Sequence, residues 1–237
     1  MSIADNLHRV QDRIARAAES AGRSADEITL VGVTKYVDAR AAAELVSAGC
    51  TNLGESRPQE LWKKCDELEG VGASSTPAPP VYWHFIGHLQ RNKVARTLPL
   101  VTLIHSVDSE RLISELNQNC TDSGIALSWA AILLEVNTSN ESAKHGLAHD
   151  DVEPLLETLS KYPRVRVQGL MTMAALEGGT AIAARNFATL RKLRDKLKQN
   201  KYSNTTLNEL SMGMSDDFEV AIQEGATIVR VGSLLWK

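Results

Sequence analysis

A chain of 237 residues, 43% apolar and 23% charged, has the make-up of a soluble globular protein, long enough for one large α/β domain or two small ones. Its 26 Lys and Arg against 29 Asp and Glu leave a formal charge of -3, which offers no basic field to attract nucleic acid. No apolar run reaches membrane-spanning length, and three scattered cysteines (Cys50, Cys65, Cys120) argue against a disulfide framework and for a reducing, cytoplasmic setting.

The N-terminal stretch is amphipathic, carries acidic residues and lacks the apolar core of a signal peptide. Ile3, Leu7, Val10 and Ile14 recur at helical spacing, so it reads as a first helix. Strands are expected near Thr29–Val33, Asn52–Leu53, Trp83–Ile86, Leu103–His105, Ala130–Val136, Gln168–Met171, Glu209–Ser211 and Ile228–Val231. Helical patterns lie between them, at Ala39–Ala48, Pro58–Leu68, Ser109–Ser123, His149–Lys161, Ile182–Gln199 and Asp216–Glu224. "TLVGV" and "WAAILLEV" are apolar on both faces, as a parallel sheet covered by helices requires. About eight strand–helix units in a chain of this length fit a single-domain (β/α)₈ barrel. A doubly wound open sheet is the alternative, but no G-x-G-x-x-G turn follows the first strand. "GVGASSTPAPP", residues 70–80, reads as a mobile surface loop within that one domain.

Barrel chemistry gathers at the C-terminal ends of the strands, and phosphate is often bound after strands seven and eight. After strand seven, "SMGMSDDFEVAI" offers Ser211 and Gly213, then Ser215 as a helix N-cap ahead of Asp216 and Asp217. The aspartates would repel a phosphate lying against them, so either they point away or the phosphate sits nearer Ser211 and the last loop. After strand eight, Gly232 and Ser233 offer two backbone N–H groups and a hydroxyl beside Arg230, an arginine within a barrel strand that needs a partner. Lys35 ends the first strand in "LVGVTKYV". A lysine and a phosphate site at one barrel mouth suggest pyridoxal phosphate; a Schiff-base aldolase acting on a sugar phosphate fits the same coarse map. Other strand ends contribute Asn52, Glu55, Ser56, Asn137, Thr138, Lys144, Met171 and Met173. Met171 is expected to pack against an apolar ring face or the barrel interior. His84 and His88 stand four apart across a glycine-containing turn without a third ligand at useful spacing, so no metal site is expected. His84 reads as a satisfied interior histidine.

The segments "GVTK", "NLGESRPQE", "WHFIGHLQRNK", "IHSVDS", "EVNTSNESAKHGL", "GLMTM" and "LSMGMSDDFEVAIQEGATIVRVGS" resemble the pyridoxal phosphate homeostasis family, also called the proline synthase co-transcribed family. The resemblance spans nearly the whole chain. It implies a barrel similar to the N-terminal domain of alanine racemase, with Lys35 as the lysine that holds pyridoxal phosphate covalently. It matches Ser211, Gly232 and Ser233 to phosphate-binding positions and Arg230 to the arginine facing the pyridine nitrogen. Gly213, Asn52, Ser56 and Met171 complete the expected cofactor-binding set. Ser56, His88 and Val37 stand where relatives commonly have asparagine, proline and lysine. The function implied is a non-catalytic protein that holds, buffers or supplies the cofactor, with apo-enzymes as partners; the sequence itself leaves the oligomeric state open, with a monomer expected. Weak amino-acid racemisation is the alternative, and Lys144 is a candidate second aldehyde-binding lysine.

Overall fold

Eight parallel strands close on themselves in chain order, each joined to the next through a helical crossover. The computed structural model describes residues 2–71, 79–122, 129–139, 141, 145–175 and 177–237. The strands are β1 (Thr29–Val33), β2 (Asn52–Glu55), β3 (Tyr82–Phe85), β4 (Leu103–Val107), β5 (Ala130–Glu135), β6 (Val165–Met171), β7 (Thr205–Ser211) and β8 (Ile228–Val231). Around them run α1 (Ile3–Ser20), α2 (Ala39–Ser47), α3 (Pro58–Val71), α4 (Val94–Thr97), α5 (Glu110–Asp122), α6 (Val152–Glu157), α7 (Gly179–Leu197) and α8 (Phe218–Gln223). The (β/α)₈ barrel expected from the strand–helix rhythm is therefore the fold.

Local chemistry explains the elements. In α1, Ser2 and Asp5 form a reciprocal capping box, and Leu7, Val10 and Ile14 bury one face. Alternation along the strands sends one set of side chains outward against the helices, in one large cluster. The other set meets inside the barrel, where Val31, Leu103, Ala131, Leu133, Met171 and Ile228 form a small apolar floor. Met171 is thus buried in the interior, while Met173 beyond it is exposed. All three cysteines are buried, and none is in a disulfide among the described residues.

Several element boundaries differ from the sequence reading. β2 extends through Glu55, and β6 and β7 begin earlier than expected, at Val165 and Thr205. Register shifts between β6 and β7 between Val167 and Gly169, and Leu207 adopts the left-handed region at φ 52°, so β7 is irregular where its polar sequence hid it. The stretch expected as one helix over His149–Lys161 is α6 flanked by two 3₁₀ turns. Much of the expected loop over residues 70–80, namely 72–78, lies outside the described residues, as does Lys144.

Candidate site at the open end of the barrel

Lys35 lies two residues past the end of β1 and is exposed, its Nζ 5.0 Å from the ring centroid of Tyr36. Its root is fixed from two sides. The Trp236 indole N–H donates to the Val33 carbonyl at 2.9 Å, and the Lys64 ammonium donates to the Thr34 carbonyl at 2.6 Å. Lys64 comes from α3 and is itself buried, held by Glu55 Oε2 at 2.6 Å; Glu55 Oε1 accepts from the Ser56 and Arg57 N–H groups. A buried ammonium is tolerated because it meets a carboxylate and a carbonyl together. Sequence reading missed Lys64, although Leu61, Lys64, Cys65 and Leu68 share one helical face, and a lysine on that stripe was the available signal.

The loops after β7 and β8 stand beside this lysine, since β8 pairs with β1. Gly213 sits at φ 91°, and a Cβ there would lie 2.5 Å from Ala221 Cβ and 2.9 Å from Phe218 Cα, so only glycine lets the loop lie flat on α8. The Arg230 N–H donates to the Gly213 carbonyl at 3.0 Å, and the Gly232 N–H to Ser215 Oγ at 3.2 Å, which ties the two loops together. Ser215 is therefore not the N-cap expected of it. The cap position is Asp217, which makes no side-chain capping bond to the helix; its Oδ1 turns back to accept from the Met214 N–H at 2.6 Å. Asp216 is exposed, whereas the half-buried Asp217 carboxylate stays on the loop at Met214 and near Arg230. Ser233 is exposed at the mouth, and Gly213, Ser215, Ser233 and Leu234 have backbone N–H groups without a hydrogen-bond partner among the described residues. Such a cluster of free N–H groups suits an anion.

Beneath the mouth, Arg230 is buried to 4% exposure. Its Nη1 donates to Ser211 Oγ at 2.5 Å and its Nη2 to the Thr172 carbonyl at 3.0 Å. Burial pulls its pKa down to about 10, partly offset by Glu135 and Asp217, so it stays a cation at neutral pH. Ser211 Oγ is also 2.8 Å from His105 Nδ1, His105 Nε2 is 2.9 Å from His84 Nδ1, and His84 Nε2 is 3.0 Å from Asn52 Oδ1. The hydroxyl already accepts from Arg230, so it donates to His105, His105 donates to His84, and His84 donates to Asn52. Every link is satisfied with both imidazoles neutral. Burial enforces that state: it pushes His84 down to about 4 and His105 well below the usual histidine range.

Two residues of the expected cofactor set are engaged inside the barrel. Ser211, expected at the phosphate, is fully buried at the end of β7, its hydroxyl bonded to His105 and Arg230. Asn52 begins β2, beside Thr29, Tyr82 and Ile228 at the barrel's opposite end, and its carbonyl oxygen serves His84. Ser56 does lie at the mouth, where its backbone passes so close to Gly87 that a Cβ there would stand 2.1 Å from the Ser56 carbonyl oxygen. His84 and His88 do not pair, because His84 points inward while His88 is exposed at the rim.

The alanine racemase N-terminal domain model matches residues 6–237. A pyridoxal phosphate homeostasis protein of Aquifex aeolicus is 39% identical over 236 residues, covering 100% of this chain and 98% of the relative. The chain belongs to the pyridoxal phosphate homeostasis proteins, within the alanine racemase N-terminal domain family. Among solved structures, PipY of Synechococcus elongatus with pyridoxal phosphate bound is 31% identical, with a TM-score of 0.84 and 100% of both chains covered. An alanine racemase of Clostridium difficile shares the fold at 17% identity and a TM-score of 0.70, covering 98% of this chain but 56% of the racemase. No described helix is long and apolar enough to cross a membrane.

Proposed function

We propose that the protein binds pyridoxal phosphate covalently through Lys35 and serves intracellular homeostasis of the cofactor, holding it and supplying or buffering it without catalysis of its own. The observation that carries this reading is the pairing of an exposed lysine at the end of β1 with a buried arginine on the adjacent strand β8, under a glycine-lined junction of free N–H groups. Pyridoxal phosphate supplies an aldehyde that condenses with a primary amine. Lys35 offers that amine on a root fixed by Trp236 and Lys64, so the side chain alone has to adapt. The Gly213–Ser215 and Gly232–Ser233 segments offer N–H groups, and Ser233 a hydroxyl, to the phosphate. Arg230 offers its remaining donors to the pyridine nitrogen; a guanidinium has no proton-accepting site, so the nitrogen stays unprotonated and the ring remains a weak electron sink.

Racemisation requires a second acid–base group on the face opposite the lysine. Tyr82 opens at the far end of the barrel, and Tyr162 and Tyr202 bond Glu110 and Glu153 on the outside. Tyr36 remains at the mouth, 79% exposed and next to the lysine in the chain, which suits open access better than sheltered proton transfer. The same openness suits transfer to apo-enzymes. A cytoplasmic location and a monomeric state complete the reading, the latter checked by light scattering on the eluting protein.

The test is an absorption spectrum of the purified protein, borohydride reduction and peptide mapping, beside Lys35→Ala. A visible band in the wild type whose reduced adduct maps to Lys35, absent in the variant and without D-alanine accumulating from L-alanine, is the expected result. No band after incubation with the cofactor overturns the binding reading, and D-alanine formation overturns the non-catalytic one.

A further inference from the structure

Three ligand-bearing side chains from three adjacent strand ends meet at the rim, away from Lys35 and the phosphate-binding loops. His88 follows β3, Asp108 follows β4, and His145 lies beyond β5 just before the bridge between Val136 and Leu147. One ligand atom from each lies within 4.8 Å of the other two. The imidazoles lie nearly parallel, with 4.8 Å between centroids and 20° between planes, and His88 Nδ1 is 3.8 Å from Asp108 Oδ2. Neither imidazole, nor the Asp108 carboxylate, has a side-chain hydrogen-bond partner among the described residues. Behind them Glu135 ends β5, buried to 4% exposure and close enough to Asp108 and His145 to feel both. Two carboxylates therefore place negative potential beside two imidazoles, which favours a bound cation.

We propose that His88, Asp108 and His145 form a binding site for one divalent transition-metal ion, with zinc as the reference ion. Two imidazoles and one carboxylate are a borderline-soft set that favours zinc, cobalt or nickel over magnesium or calcium. Tetrahedral zinc holds such ligands about 2.0–2.2 Å from the ion and so about 3.3 Å from one another. The exposed imidazoles reach that spacing by side-chain rotation, since both project from the rim. Three protein ligands leave a coordination position for water or a ligand oxygen. By strand order β4 stands across the barrel from β8, so the ion would sit on the wall facing Arg230 and the β8 loop. The proposal does not depend on the cofactor reading.

The test is titration of the chelator-stripped full chain with zinc chloride by calorimetry, and with cobalt(II) by visible absorption. One saturable site per chain is expected, with imidazole-type cobalt bands. His88→Gln, His145→Gln and Asp108→Asn should each weaken binding at least tenfold. His149→Gln should leave it unchanged, because His149 lies in an exposed pair with Asp150 elsewhere. Circular dichroism confirms that each variant is folded. Overturning results are no saturable binding to the wild type, wild-type affinity in all three rim variants, or equal loss in His149→Gln.

Discussion

Buried charge sets the terms for individual residues here. Arg230 meets a hydroxyl and a carbonyl, and its positive end starts a one-way run of hydrogen bonds through Ser211, His105 and His84 to Asn52. Both histidines resist protonation in the folded state, whereas the unfolded chain protonates near the ordinary 6.5. The unfolded state thus binds more protons below that value. Their contribution to stability is full above about pH 6.5 and declines as pH falls toward about 4, by up to about 1.4 kcal/mol per pH unit for each histidine. Burial raises Glu135 and Asp217 instead, so these two act in the opposite sense, contributing stability at acid pH that is lost as pH rises through their folded values. Urea midpoints between pH 4 and 7 should rise with pH in the wild type, and more shallowly in a His84→Gln, His105→Gln double variant. Lys64 sets a second test. Lys64→Met leaves the Glu55 carboxylate buried without its ammonium, and should cost about 3–5 kcal/mol by urea denaturation; combining it with Glu55→Gln should cost less than the two single changes added.

Elements were legible in the sequence where their pattern is local. The apolar runs of β1, β5 and β8, the helical face of α1, and the glycines after β7 and β8 all announce themselves within a few residues. A strand end marks Asn52 and Ser211 as polar groups near the sheet, but the sequence does not say which end of the barrel each faces, or which distant group claims its polar atoms. His105, Glu135 and the rim grouping of His88 with Asp108 and His145 are products of closure, since their partners lie one or more strands away. β7 was read short because its first half is polar and passes through a left-handed residue at Leu207. The loop after it is where backbone geometry matters most. Gly213→Ala forces a side chain into a left-handed position and against Ala221, so it should destabilise the fold by about 1–3 kcal/mol and weaken cofactor binding several-fold. Fluorescence titration with pyridoxal phosphate, set beside a thermal melt, separates the two effects. Ser233→Ala, which removes only an exposed hydroxyl, should affect binding with stability unchanged within about 0.5 kcal/mol.

The whole molecule puts a closed, well-packed barrel under an open end. A ligand that binds only the folded state raises stability with concentration, by about 2.7 kcal/mol at one hundred times its dissociation constant. Differential scanning of the protein with increasing pyridoxal phosphate should therefore show a rising melting temperature, and Lys35→Ala should show a smaller rise at equal concentration. Because Lys35 is exposed, that variant should melt near the wild type without ligand. The fixed root and free tip of Lys35 have a kinetic consequence. A carrier closed by a lid releases its cargo at the rate the lid opens. At this lysine no described segment covers the ammonium, so with the cofactor held there as proposed an incoming amine would reach it by the path it took inward. Residence time would then fall as ambient amine rises, and the surrounding solution, rather than a conformational clock, would set the pace of release.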